Sequence, residues 1–229
     1  MNWPRIAVQW TPSHRIVASR FPPVGLFDRV ADPADLEVVL AIESMTNERI
    51  RDELGDIQLV APGDRISGPG STPIMAAFTH PNPEGSRFSD GTFGLYYCAE
   101  DRDTAIRETQ YHYGRFLAQS QQPPIEVDVR LYTADLNGEL RDLATAPEHA
   151  PELLAPHSYT ASQAFGKALR QHNENGLRYP SVRRRGGWCA AVMRPKLLGP
   201  ARQSAHFTYC WDGQAITDVY QKKAVRVRT

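Results

Sequence analysis

Neither sign of charge predominates in this 229-residue chain, in which 26 lysines and arginines face 26 aspartates and glutamates. A neutral balance gives no bulk electrostatic drive toward nucleic acid or a membrane surface. Long apolar runs are absent as well, and the opening Met-Asn-Trp-Pro-Arg-Ile carries no hydrophobic signal core. A soluble, cytoplasmic protein is the expectation. Cysteine is scarce: Cys98, Cys189 and Cys210 are odd in number, far apart and flanked by apolar or aromatic residues. That pattern predicts reduced packing thiols and excludes a disulfide framework.

Familiar catalytic signatures are missing too. No G-x-G-x-x-G follows a strand, and there is no G-x-x-x-x-G-K phosphate cradle. The 7 histidines are scattered without H-E-x-x-H, and no C-x-x-C occurs, so metal catalysis is not expected. A G-x-S-x-G elbow is lacking. The run Arg183-Arg184-Arg185 could touch phosphate, but with zero net charge its simplest role is a solvated loop.

What is present is a mixture of short elements. Residues 1–20 form an entry segment with two apolar patches. The spacing of Leu36, Val39, Leu40, Ile42, Met45 and Ile50 predicts a helix over 36–54, starting near Asp32-Pro33 and ended by Gly55. Ile57–Val60 is expected as a short strand, and a Gly- and Pro-rich loop then leads to an apolar patch at 74–78. The alternation of Ile125, Val127, Val129 and Leu131 predicts a half-buried strand, and Asn137-Gly138 a hairpin turn. Residues 145–158 lack periodicity and are expected as loop. Ser158 or Thr160 caps a helix through Gln171, and strands follow at 188–193, 205–211 and 216–220. Without regular βαβ alternation the expectation is an α+β fold in a single mixed domain.

The most informative stretch is 87–108. It places Arg87, then Tyr97, then Glu108, while the pattern changes from turn to strand to helix. Ser89-Asp90-Gly91 signals the turn, Phe93–Cys98 the strand, and Asp101 can cap a helix carrying Glu108. Arginine grips phosphate oxygens as a fork, tyrosine stacks on a flat ring, and glutamate stabilises positive charge at an anomeric carbon. This set suits a phosphate-bearing substrate whose sugar bond is broken, and it points to NAD. Tyr96 falls on the opposite strand face and is assigned to the core.

Five elements in order resemble the RES-domain family: His14-Arg15-Ile16, Ser86-Arg87-Phe88, Leu95-Tyr96-Tyr97, Ala105-Ile106-Arg107-Glu108 and Tyr179-Pro180-Ser181-Val182. The resemblance runs from residue 14 to about residue 195. It implies an NAD-binding catalytic core over 81–229 and an N-terminal helical and loop extension over 1–80 packed on it. It also implies a fold like that of ADP-ribosylating bacterial toxins. The family's members are typically toxins that consume NAD, paired with an Xre-like antitoxin. The long lead-in resembles a branch that ADP-ribosylates a phosphoribosyl pyrophosphate synthetase. On this basis Glu108 stabilises the developing charge and Arg87 holds the pyrophosphate. Tyr97 stacks on nicotinamide, Ser181 bonds ribose or the nicotinamide amide, and Arg15 is a second phosphate contact. No metal is implied. Phe88 stands where most members carry Trp, and Val-Arg-Arg-Arg follows Ser181 where shorter members carry an Asn-containing segment. Three functions compete: an ADP-ribosyltransferase with a protein target, an NAD glycohydrolase or phosphorylase, and a nucleotide-binding module without catalysis.

Overall fold

The computed structural model describes residues 3–19, 55–223 and 225. The helix expected over 36–54, and with it the middle of the expected N-terminal extension, lies outside these residues. Seven strands form one sheet: β1 (Arg5–Ala18), β2 (Tyr96–Ala99), β3 (Ile125–Asp142), β4 (Gly176–Pro180), β5 (Trp188–Val192), β6 (Arg202–Trp211) and β7 (Ile216–Lys222). Their order is β1-β2-β5-β4-β3-β6-β7, and β1 also pairs with β3. The first five positions therefore close on themselves, while β6 and β7 extend from the first half of β3. All pairings are antiparallel except a short parallel contact of β3 with β4. Among the described residues three helices of more than a single turn pack on this sheet: α1 (Thr72–Thr79), α2 (Arg102–Gln119) and α3 (Thr160–Gln171). The mixed α+β class expected from the sequence is the one observed.

Strand alternation separates two cores. Tyr96, Cys98, Ala190 and Val192 face one side with Ile74, Met75 and Phe78 of α1. Ala99, Cys189 and Ala191 face the other, where α2 and α3 bring Ala105 and Leu169. In β1 a bulge between Trp10 and Ser13 switches the alternation, so Val8 and Trp10 join the first core and Ile16 the second. β1 pairs with β3 from Arg5↔Arg141 to Ala18↔Val129, so residues 5–18 are an integral strand of the sheet.

Several local expectations are corrected. Asn137-Gly138 makes no hairpin, because both residues lie inside β3 opposite Gln9 and Val8. Gly138 serves packing: a Cβ there would stand 2.8 Å from a Leu197 methyl. Residues 57–59 form a 3₁₀ turn, not a strand, because the Asp56 side chain accepts from the Gln58 amide and caps it. The apolar patch at 74–78 is α1, with Pro73 in its first turn. The stretch expected as loop holds two single turns, Ala146–His149 and Pro151–Leu154, each opened by a proline. Tyr159 precedes α3 without a side-chain cap, so neither Ser158 nor Thr160 is the capping residue.

A buried ion cluster fastens the sheet's far end. Glu174, on the turn before β4, accepts from Arg5 at 2.9 Å and from Arg141 at 2.5 Å. Hydrogen bonds from Arg141 and then Arg5 hold its carboxyl down at about 2.

Candidate active site

The turn, strand and helix of residues 87–108 form in the expected order, the strand over Tyr96–Ala99 where Phe93–Cys98 was expected, and two of the assigned residues meet directly. Asp101 caps α2: its carboxylate accepts from the Thr104 amide and the Thr104 hydroxyl, both at 2.8 Å. Two turns later Glu108 accepts a hydrogen bond from the Ser181 hydroxyl at 2.6 Å, across 73 residues of sequence. The buried Cys189 thiol also lies 3.8 Å from the same carboxylate oxygen. Glu108 forms no salt bridge among the described residues, and neither His112 nor Thr104 hydrogen-bonds it.

Ser181 is positioned by its own loop. It leaves β4 directly after Pro180, and its amide donates to the Gly187 carbonyl at 2.8 Å. Its hydroxyl oxygen accepts from the amides of Arg183 and Arg184 at 3.2 and 3.0 Å. That turn swings both arginines back over α2. Arg184 pairs with Asp101 at 3.1 Å and donates to the Thr104 hydroxyl at 3.0 Å. Arg183 stacks over the Tyr111 ring, 3.2 Å from its centroid, and donates to the Pro156 carbonyl. Arg183 and Arg184 are therefore folded back onto α2 and are not a solvated basic patch, whereas Arg185 stands exposed.

Arg87 is buried. Its guanidinium lies 4.7 Å from the Tyr159 ring centroid and donates to the Ala155 carbonyl at 2.9 Å. The turn bearing Arg87 is clamped by Tyr97, whose hydroxyl accepts from the Phe88 amide at 2.9 Å and bonds Ser86 at 2.8 Å. Burial pushes the Tyr97 phenol up to about 12. Phe88 itself packs edge-on to Tyr179, with centroids 5.0 Å apart. Gly166 of α3 makes that closeness feasible, since a Cβ there would fall 2.0 Å from the Phe88 carbonyl oxygen.

Tyr179 is the hub that sequence reasoning missed. Burial raises its phenol well above the ordinary value; Cys189, Glu108 and Tyr97 add to that, and Arg87 opposes it. In the sheet Tyr179 stands opposite Cys189, and its ring meets that of Phe88. His112, one turn beyond Glu108, is held below its usual value chiefly by the loss of solvent around its imidazole. Arg183, Arg87 and Arg115 push the same way, and Glu108 opposes them.

Arg15 stands apart from Glu108. It donates to the Tyr97 carbonyl at 2.9 Å and lies 4.8 Å from the Tyr96 ring centroid. With Tyr97, Ser86 and Ser89 it lines a cleft of about 390 Å³ that none of Arg87, Glu108 and Ser181 lines. Tyr97 is the wall common to the two. Tyr96 is fully buried in the first core, as its strand parity predicts. Among the described residues no cluster of His, Cys, Asp or Glu could hold a metal, and no helix is long and apolar enough to cross a membrane.

The family model of the RES domain matches residues 63–212. The chain belongs to the RES domain family. Its match begins at the loop before α1 and ends just after β6, so it spans every element that bears Arg87, Tyr97, Glu108 and Ser181. A relative from Sinorhizobium fredii (strain NBRC 101917 / NGR234), the uncharacterized protein y4oC, is 30% identical over 207 residues, 90% of this chain and 86% of its own. Among solved structures, the M. tuberculosis MbcT–MbcA toxin–antitoxin complex contains a chain with 12% identity and a TM-score of 0.49. That alignment covers 89% of this RES chain and 86% of the other.

Proposed function

We propose that this RES-domain protein is an NAD-consuming toxin that cleaves the nicotinamide–ribose bond and transfers ADP-ribose to a protein. The observation that carries this reading is the Ser181–Glu108 contact of 2.6 Å, which joins the family's two late signatures beside Arg87. Loss of nicotinamide passes through an oxocarbenium-like state, as in glycoside hydrolysis. The C1′–N bond breaks and its electron pair returns to the pyridine nitrogen, so nicotinamide leaves neutral. Positive charge then develops on C1′, and the Glu108 carboxylate, oriented by Ser181, stabilises it. The acceptor donates a lone pair to C1′ and loses its proton to water. Arg87 holds the pyrophosphate, Tyr97 stands beside the nicotinamide, and Arg15 reaches a phosphate from the adjoining cleft.

An enzyme of this kind would harm its host if unrestrained, so its partner is an Xre-like antitoxin that covers the pocket and itself carries the contact with DNA. The setting is the cytoplasm, and a phosphoribosyl pyrophosphate synthetase is the first target to try. Nicotinamide release by the wild-type chain beside Glu108→Ala, followed over time, tests the chemistry. Labelled NAD marks a protein only if transfer occurs. Release without labelling identifies a glycohydrolase or phosphorylase, and NAD binding without consumption identifies a binding module.

A further inference from the structure

Two buried hydrogen-bond donors on and against the segment over 155–159, the hydroxyl of Tyr159 and the Nε of Arg183, have no partner among the described residues. Native interiors rarely leave such groups unsatisfied, so orphaned donors in a pocket point to an acceptor-rich ligand. Their surroundings match. The Arg87 guanidinium stacks on Tyr159 and donates to the carbonyl of Ala155. The Arg183 guanidinium stacks on Tyr111 and donates to the carbonyl of the next residue, Pro156. Two arginines, each laid on a tyrosine, thus grip successive carbonyls of one strap over 155–159. The Tyr111 hydroxyl ties the strap down further, through the Pro156 carbonyl at 3.3 Å and His157 at 3.0 Å.

Arg183 is tied to the catalytic carboxylate by a single residue. The Ser181 hydroxyl that donates to Glu108 accepts from the Arg183 amide. Its two neighbours in the arginine run are placed differently. Arg184 is committed to Asp101 and Thr104 at the start of α2, and Arg185 is exposed. A guanidinium that meets only a neutral carbonyl gains by exchanging it for a phosphate oxygen, because charge-assisted hydrogen bonds are the stronger ones.

Resting on the NAD reading of the site, we propose that Arg183 is a second phosphate-binding residue, acting with Arg87 and the Tyr159 hydroxyl on the two phosphates of the dinucleotide. The Ala155 and Pro156 carbonyls hold the two guanidiniums in place until phosphate oxygens replace them.

Calorimetry on the full chain with ADP-ribose tests this without turnover. Arg183→Ala is expected to weaken binding about tenfold or more, the loss of one charged hydrogen bond. Arg183→Lys should recover only part of it, since an ammonium lacks the planar fork. Tyr159→Phe removes the orphan hydroxyl alone and should cost a few-fold, while the exposed Arg185→Ala changes nothing. Nicotinamide riboside, which has no phosphate, should bind wild type and Arg183→Ala alike. Undiminished ADP-ribose affinity in Arg183→Ala overturns the assignment, as does an equal loss for nicotinamide riboside, the mark of a strap latch. If Arg183→Ala fails to fold, Arg183→Lys and Tyr159→Phe decide the matter by the same criteria. A wild-type chain that binds no ADP-ribose removes the NAD reading itself and this assignment with it.

Discussion

Two glutamates in this protein have opposite company. Glu174 takes two guanidiniums, Arg5 and Arg141, on one carboxylate. Glu108 takes a hydroxyl and a thiol, while Arg87 and Arg183 nearby are held by the Ala155 and Pro156 carbonyls. The first arrangement neutralises the charge and joins β1, β3 and the approach to β4. The second orients a carboxylate and leaves its charge unpaired. A carboxylate that must meet a transient cation has to be kept from permanent ones, and the strap carbonyls keep those arginines engaged.

The comparison is broken most directly by neutralising each glutamate in turn. Glu108→Gln preserves shape and the Ser181 contact but removes the charge, so nicotinamide release should fall about 10²–10³-fold. Thermal stability should barely move, because no ion pair is lost. Equal activity in Glu108→Gln and wild type would show that the unpaired charge has no part in the chemistry.

Glu174→Gln should do the reverse. It leaves the largely buried Arg141 without its partner, and the cost is about 1–3 kcal/mol. The lower part of that range allows for solvent reaching Arg5, whose side chain is 55% exposed. For a chain of this size the melting midpoint should drop by roughly 2–10 °C, with activity per folded molecule retained. The acid limb carries the sign. The folded carboxyl titrates at about 2 against an ordinary 4.5, so its contribution is full above 4.5 and is lost as pH falls toward 2. Urea midpoints measured between those limits should slope less in Glu174→Gln than in wild type. Identical slopes would mean that the cluster is not what titrates.

These two clusters also differ in how far the sequence announced them. The Glu108 site was largely legible, because its turn, strand and capped helix are local features whose signals lie within a few residues of one another. Asp101 caps where expected, and strand parity separates Tyr96 from Tyr97. The sequence offered Arg183-Arg184-Arg185 as a run that could touch phosphate but not its inward turn, which depends on the hydroxyl of Ser181 accepting two amides. Tyr179 stood in the Tyr-Pro-Ser-Val element but was given no role, since a tyrosine's ring contact with the distant Phe88 leaves no local pattern. The Glu174 cluster depends on β1, β3 and β4 meeting at one end, a matter of topology that no local pattern records. The misplaced turn at Asn137-Gly138 has the same origin, because a distant Leu197 decides what that glycine is for. The fold class could be read from element content, but the closure of β1 onto β3 could not.

Ser181→Ala sharpens the contrast at smaller scale. It removes the donor to Glu108 and the acceptor for two loop amides, so about a tenfold loss of activity is expected. In a Glu108→Gln background the same change should cost much less, since Ser181 acts through the carboxylate. Additive losses would instead give Ser181 its own contact with the substrate.

The smallest effect belongs to Cys189. Its thiol is buried, and burial followed by the nearby Glu108 charge pushes it well above its ordinary value, so it remains protonated at neutral pH. A protonated thiol is a weak donor and no nucleophile. Cys189→Ala should therefore lower nicotinamide release by no more than about threefold, with a stability cost of about 1 kcal/mol for the lost packing. Alkylating reagents should leave wild-type activity intact while the chain is folded. A hundredfold loss in Cys189→Ala would mean that the hydroxyl alone cannot orient Glu108, and that the carboxylate depends on two neutral partners as strictly as Glu174 depends on two charged ones.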